Sequence, residues 1–165
     1  MKVPYAKVRN HYPDVDSITQ AELYQWIGYP EHIDHPHWEN TCAIRLSLAL
    51  LGAGFPDPGV YPVKAGRYKG RRIETMQKAL SKYLVRQLGE PEKYTNGLEA
   101  EKKIDTRHGI ISFFQLYGPT SEQGHIAIVA KGSGMWGIVR CGREGAYAPT
   151  GCYWSSVEVW FWPLP

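Results

Sequence analysis

Cysteine is scarce in this chain: Cys42, Cys141 and Cys152 are its whole complement in 165 residues. Three thiols cannot build a disulfide scaffold, and the odd count leaves at least one outside any intramolecular pair. Long apolar runs are missing too. The longest, around Leu46 to Leu51, falls well short of the ~18 residues that cross a bilayer, so membrane insertion by a helix is not expected. Charge of one sign is in short supply. Nineteen basic and sixteen acidic side chains leave a formal charge of +3, and no Lys/Arg run exceeds the Arg71-Arg72 pair after Lys69. A dedicated nucleic-acid binder carries a stronger cationic stripe, so nucleic acid is not expected as a partner, whereas mild basicity suits an anionic polymer. The N-terminal stretch Met1 to Lys7 leads into Arg9, Asn10, His11 and Asp14. It lacks the apolar core of a secretory signal, so export by the general pathway is not expected.

What is present is enough apolar material for one folded domain spanning 1–165. The chain is 43% hydrophobic, 13% aromatic and 21% charged, a balance unlike that of disordered proteins. Helical signals cluster in the first half. Ser17 with Gln20 reads as a capping box, with Leu23, Trp26 and Ile27 on one face and Gly28 as the stop. Asn40 is a favoured N-cap for a helix through Ala43, Leu46, Ser47 and Leu50 that ends at Gly52 or Gly54, with Cys42 in its first turn. A third helix is predicted from about Arg72 to Leu88, with Gly89 beyond its end. Glu90 to Asp105, containing Asn96-Gly97, reads as a surface loop. After Arg107 the period shortens: Ile110 to Leu116, Gly124 to Ala130, Met135 to Arg140 and Val157 to Trp162 read as strands, and Lys131 to Gly134 as a hairpin turn. Helices first and an antiparallel meander second predict an α+β domain.

The chemistry to look for is a thiol paired with an imidazole. Cys42 opens a predicted helix and His125 opens a predicted strand, 83 positions later. A helix N-terminus and a nearby imidazole favour thiolate over thiol, and His can then protonate a leaving amine. Amide groups at the start of that helix, Cys42 N–H first, could hold an oxyanion, and the Asn40 side chain could join them or simply cap the helix. Arg45, one turn along, is read as structural more than as a carboxylate grip. His32, His35 and His37 preceding Cys42 offer zinc-type ligands at a spacing that fits no compact site, so no metal and no cofactor are expected.

These residues carry a resemblance. Asn40-Thr41-Cys42-Ala43-Ile44-Arg45-Leu46-Ser47, then Leu48-Ala49-Leu50 and Gly54, resembles the nucleophile helix of the fourth family of type VI secretion amidase effectors. Gly109-Ile110-Ile111 and Gly124-His125-Ile126 resemble its histidine region. Tyr12-Pro13, Ile27-Gly28 and Val159-Trp160-Phe161-Trp162 extend the likeness over nearly the whole chain. The resemblance implies a papain-like, NlpC-type cysteine peptidase fold with N-terminal helices packed on a C-terminal antiparallel sheet. It implies hydrolysis of the D-glutamyl to meso-diaminopimelate amide bond of peptidoglycan stem peptides. It also implies delivery without a signal peptide, by the type VI secretion apparatus, into the periplasm of target bacteria, and a cognate immunity protein as partner. One position departs from the pattern: Ala127 stands where the family commonly has Asp after Gly-His-Ile. The resembling proteins carry their acidic third member between two cysteines, which implies Glu144, between Cys141 and Cys152, as the group orienting His125, with Cys141 and Cys152 free to form a disulfide. Gln123 or a backbone carbonyl could orient the ring instead. Two rival readings share the residues: a binding module that has lost turnover on the same fold, and an intracellular cysteine hydrolase or acyl transferase. The stretch Gly66 to Arg72 is read as a cleft wall or a solvated cationic face.

Overall fold

The computed structural model describes residues 2–116, 118–130 and 152–165. The expected hairpin turn at Lys131 to Gly134 and the expected strand Met135 to Arg140 lie outside them.

Helix α3 (Cys42–Gly52) is the centre of the molecule. Every residue from Cys42 to Leu51 is buried, so this helix is apolar on all sides and must be enclosed by other elements. One side meets α1 (Tyr5–Arg9) and α4 (Gln77–Leu88) over a core of Val8, Leu46, Leu50, Leu84, Ile126 and Ile128. Another side meets α2 (Gln20–Ile27) and the short hairpin β1 (Tyr61–Pro62) and β2 (Arg72–Ile73), through Leu23, Ile27, Ile44, Leu48 and Ile73. Two polar side chains inside are fully committed. Arg45 Nε donates to Thr41 Oγ1 and Nη1 to the Pro13 carbonyl, both at 2.8 Å. Ser47 Oγ exchanges hydrogen bonds with the Glu74 backbone carbonyl and N–H, each at 3.1 Å.

The main sheet has the order β3 (Glu92–Tyr94), β6 (Glu158–Pro163), β4 (His108–Phe114), β5 (His125–Ala130), all pairs antiparallel. Alternation along the strands divides its residues between two layers. Ile110, Ile126, Ile128 and Trp162 face α3 and α4, while Ile111, Phe113, Val159 and Phe161 face α5 (Gly97–Ile104). The chain is therefore α+β with an antiparallel sheet, as expected, but β6 inserts beside β4 rather than extending a meander.

Local boundaries differ where side chains redirect the backbone. Thr19, not Ser17, caps α2: its Oγ1 accepts the Glu22 N–H at 3.1 Å, and Trp26 points outward with half its surface exposed. Gly28 stops α2 at φ 85°, as predicted. The helix expected from Arg72 starts only at Gln77, because Ser47 takes the Glu74 N–H and Glu74 Oε1 accepts from Thr75 and Met76 N–H groups. The expected loop from Glu90 to Asp105 holds β3 and α5 instead. Asn96 is an N-cap whose Oδ1 accepts the Glu99 N–H at 2.8 Å, not the first residue of a turn.

Candidate active site

Cys42 is the first residue of α3, where the helix presents N–H groups and the positive end of its dipole. Asn40 acts from two residues upstream. Its Oδ1 accepts the Cys42 N–H at 3.1 Å and its Nδ2 donates to the Gly124 carbonyl at 3.4 Å, which ties the helix start to the start of β5. Asn40 thus performs the capping expected of it, from the position before the formal cap Thr41.

The Ile126 backbone N–H, one residue beyond His125, favours the charged form of the Cys42 sulfur. The thiol is 7% exposed. Burial pushes its pKa up to about 11, against the backbone N–H groups and the Asn40 side chain, which pull it down. Sequence reasoning expected a lowered value from the helix terminus, but desolvation of the charged form is the larger effect here.

His125 opens β5, half-buried, paired across the sheet with Phe113. Its ring stacks on Tyr153 with centroids 4.2 Å apart and 7° between planes. Tyr153 belongs to the short 3-10 turn Cys152–Ser155. Just before the histidine, Gly124 leaves room for Gln77: a Cβ on Gly124 would lie 2.2 Å from Gln77 Oε1. Gln77 is held in turn, its Nε2 donating to Ser112 Oγ at 2.6 Å, and Ser112 Oγ meets Ser81 Oγ at 2.8 Å. The backbone entering His125 is therefore gripped by Asn40 from one side and packed by Gln77 from the other.

Tyr12 joins the two halves of the site, and sequence reasoning gave it no role. Burial raises its phenol pKa most, the nearby Cys42 charge next, and Tyr153 adds to the rise, while Arg45 opposes it. Its phenol thus stays protonated under the influence of Cys42 and of Tyr153, whose ring stacks on His125. The Tyr12-Pro13 pair was visible in the chain; nothing local indicated that it would fold back over the start of α3. Arg45 lies beneath the site, with its two donated bonds inside the fold, in the structural role expected of it.

The histidine tract forms an aromatic stack. His32 lies between Trp38, at 3.9 Å and 7°, and Tyr29, at 5.0 Å and 6°, and its Nε2 meets the Tyr61 hydroxyl at 2.7 Å. His35 Nδ1 accepts the His37 N–H at 3.2 Å. These contacts order the segment leading into Asn40. Glu144 and Cys141 lie outside the described residues, so the third-residue assignment and the Cys141 to Cys152 pairing are not addressed by the described contacts.

Comparison with known proteins adds the family. A family model described as type VI secretion system (T6SS), amidase effector protein 4, matches residues 38–162. No curated protein sequence matches the chain. Among solved structures, the type VI effector Tae4 from Enterobacter cloacae superposes with a TM-score of 0.72 at 19% identity, over 100% of this chain and 98% of that one. The Tae4-Tai4 effector-immunity complex from the same organism gives 0.71 at 19%, covering 100% of both chains. The corresponding complex from Salmonella Typhimurium gives 0.68 at 17%, again over 100% of both. At such identities the structural likeness speaks for the fold. The family match covers most of the chain and takes in both Cys42 and His125, so the chain belongs to the amidase effector 4 family of type VI secretion and is a peptidoglycan amidase effector.

Proposed function

We propose that the chain cleaves the amide between D-glutamate and meso-diaminopimelate in peptidoglycan stem peptides, with Cys42 as nucleophile and His125 as the base and acid. The observation that carries this reading is the Asn40 side chain, which accepts the Cys42 N–H and donates to the Gly124 carbonyl, so that the start of the Cys42 helix is tied to the residue before His125. Because burial keeps the sulfur protonated, His125 takes the thiol proton as the carbon–sulfur bond forms, instead of holding a thiolate in advance. The tetrahedral oxyanion competes with Asn40 Oδ1 for the Cys42 N–H. His125 then protonates the departing amine, and water releases the acyl group from sulfur. Glu144 is the proposed orienting carboxylate, Cys141 and Cys152 the proposed disulfide, and the papain-like NlpC-type arrangement the proposed fold relationship.

Two of the similar structures are complexes of an effector with Tai4, which supports a cognate immunity protein as partner here. Delivery without a signal peptide to the periplasm of a target cell follows from the same family reading. The test is digestion of purified sacculi. Wild type is expected to release stem-peptide fragments, and Cys42→Ala and His125→Ala to lose about 10³-fold or more of that release. Fragments cut at another amide would overturn the bond assignment, and undiminished release by Cys42→Ala would overturn the nucleophile.

A further inference from the structure

A cavity of about 840 Å³ runs along α3 on the side facing α2, and neither Cys42 nor His125 lines it. Its floor includes Leu48, six residues beyond Cys42, or about 9 Å along the helix axis. The cavity floor therefore continues along α3 beyond the sulfur, while Tyr12, which senses the Cys42 charge, is part of its lining.

Its walls are preformed. The segment between β1 and β2 folds on itself through Lys69 N–H to Gly66 O, Arg71 N–H to Tyr68 O and Gly70 N–H to Val63 O, and Lys64 N–H fastens it to the end of α2 at Ile27 O, 2.9 Å. Gly66 makes that fit, at φ +75° and with its α-carbon so close to α2 that a Cβ would lie 2.7 Å from the Trp26 carbonyl. Behind the lining residues His11 and Tyr68, Gly52 leaves its side-chain space to the His11 ring and the Tyr68 hydroxyl, 2.4 Å and 2.6 Å from where a Cβ would stand.

The lining has a definite chemistry. Trp26 is 52% exposed, a large apolar surface that the fold leaves uncovered. Arg67 is exposed, its guanidinium 5.4 Å from the centre of the Tyr68 ring, and among the described residues it has no carboxylate in ion-pair range. Arg9 adds a second cation. The one acid in the lining, Asp14, is turned to the Asp16 N–H at 3.1 Å and faces the buried Arg45 charge. Flat aromatic surface beside unopposed guanidinium suits a ligand with sugar rings and carboxylates, which Arg can hold bidentately.

We infer that this cavity is a holding site for a carboxylate-bearing glycopeptide strand, with sugar on Trp26 and carboxylate on Arg67, so that the enzyme grips polymer away from the bond it cuts. This rests on the peptidoglycan reading, and retention is measured so that it does not depend on cleavage. In the full chain carrying Cys42→Ala, binding to purified sacculi by co-sedimentation is compared with and without Trp26→Ala and Arg67→Lys, alone and together, at unchanged formal charge. The double substitution is expected to weaken retention about tenfold, the size of one lost charge-assisted bond. Retention within twofold of the parent, with an unchanged melting temperature, overturns the holding site. A lower melting temperature sends the decision to Arg67→Lys alone, whose exposed side chain can change without disturbing the core: a loss of threefold or more supports the site, and unchanged binding overturns it. Failure of wild type to digest the same sacculi would strike the amidase reading and leave the retention comparison intact.

Discussion

The two ends of α3 border opposite environments. At its N-terminus, Cys42 is buried, 7% exposed, with its amide held by Asn40 Oδ1. Further along, Leu48 floors an open basin rimmed by Trp26, Arg67 and Tyr68. Bond making is favoured in the first region by exclusion of water and fixed donors, which strengthen charge interactions in the transition state. Capture is favoured in the second by accessible aromatic and cationic surface. One helix can serve both because it is buried on all sides and cannot shift toward either.

The sharpest test of that contrast is the thiol. With its pKa near 11, alkylation by iodoacetamide should rise about tenfold per pH unit from 7 to 10, a total of roughly a thousandfold, without levelling off. A plateau near neutrality would show a preformed thiolate. The same shift affects stability with a defined sign. The folded value lies above the ordinary thiol value of 9.0, so the contribution is complete below about pH 9 and is lost as pH rises toward 11, where the unfolded chain holds fewer protons than the folded one. Urea unfolding of wild type should lose more stability over that interval than Cys42→Ala does.

Crowding the buried side should come next. Gly124→Ala forces a methyl into Gln77 Oε1 and disturbs the entry to His125, at about 3 kcal/mol; adding Gln77→Ala should recover part of that loss in chemical denaturation. On the basin side, Gly66→Ala combines positive φ with the Trp26 carbonyl contact and should cost about 2 kcal/mol. Its signature would be weaker sacculus retention together with the drop in melting temperature. The smallest effect expected is for Asn40→Ala, about 1 kcal/mol as for a lost helix cap, with a fall in turnover that exceeds any change in KM because the Cys42 amide loses its alignment. Equal changes in Gly124→Ala and Gly66→Ala on both turnover and retention would erase the division between the two regions.

Local signals in the chain were enough to place α3, the stop of α2 at Gly28 and the strands β4, β5 and β6, because each carries its own period and punctuation. They failed where a distant side chain decides the backbone. Ile73 falls in step with the helical pattern of residues 76 to 88, yet Ser47 on α3 takes the Glu74 N–H and turns Arg72–Ile73 into a strand. Asn96-Gly97 serves turns and helix caps equally well, and what favours the cap is the packing of Ala100 and Ile104 against the sheet. The candidate site divides the same way. Cys42, His125 and Asn40 were legible from motif and position. Tyr12, Tyr153 and Gln77 were not, because their relation to the site arises from contacts between segments far apart in the chain.

The link from Asn40 to Gly124 spans 84 residues of sequence. The starts of α3 and β5 are brought together by this bond only in the folded chain, so a nascent or unwound polypeptide lacks the arrangement. An amidase effector whose candidate site is assembled across such a distance depends on completed folding, and a chain held in an unstructured form lacks that site by geometry alone.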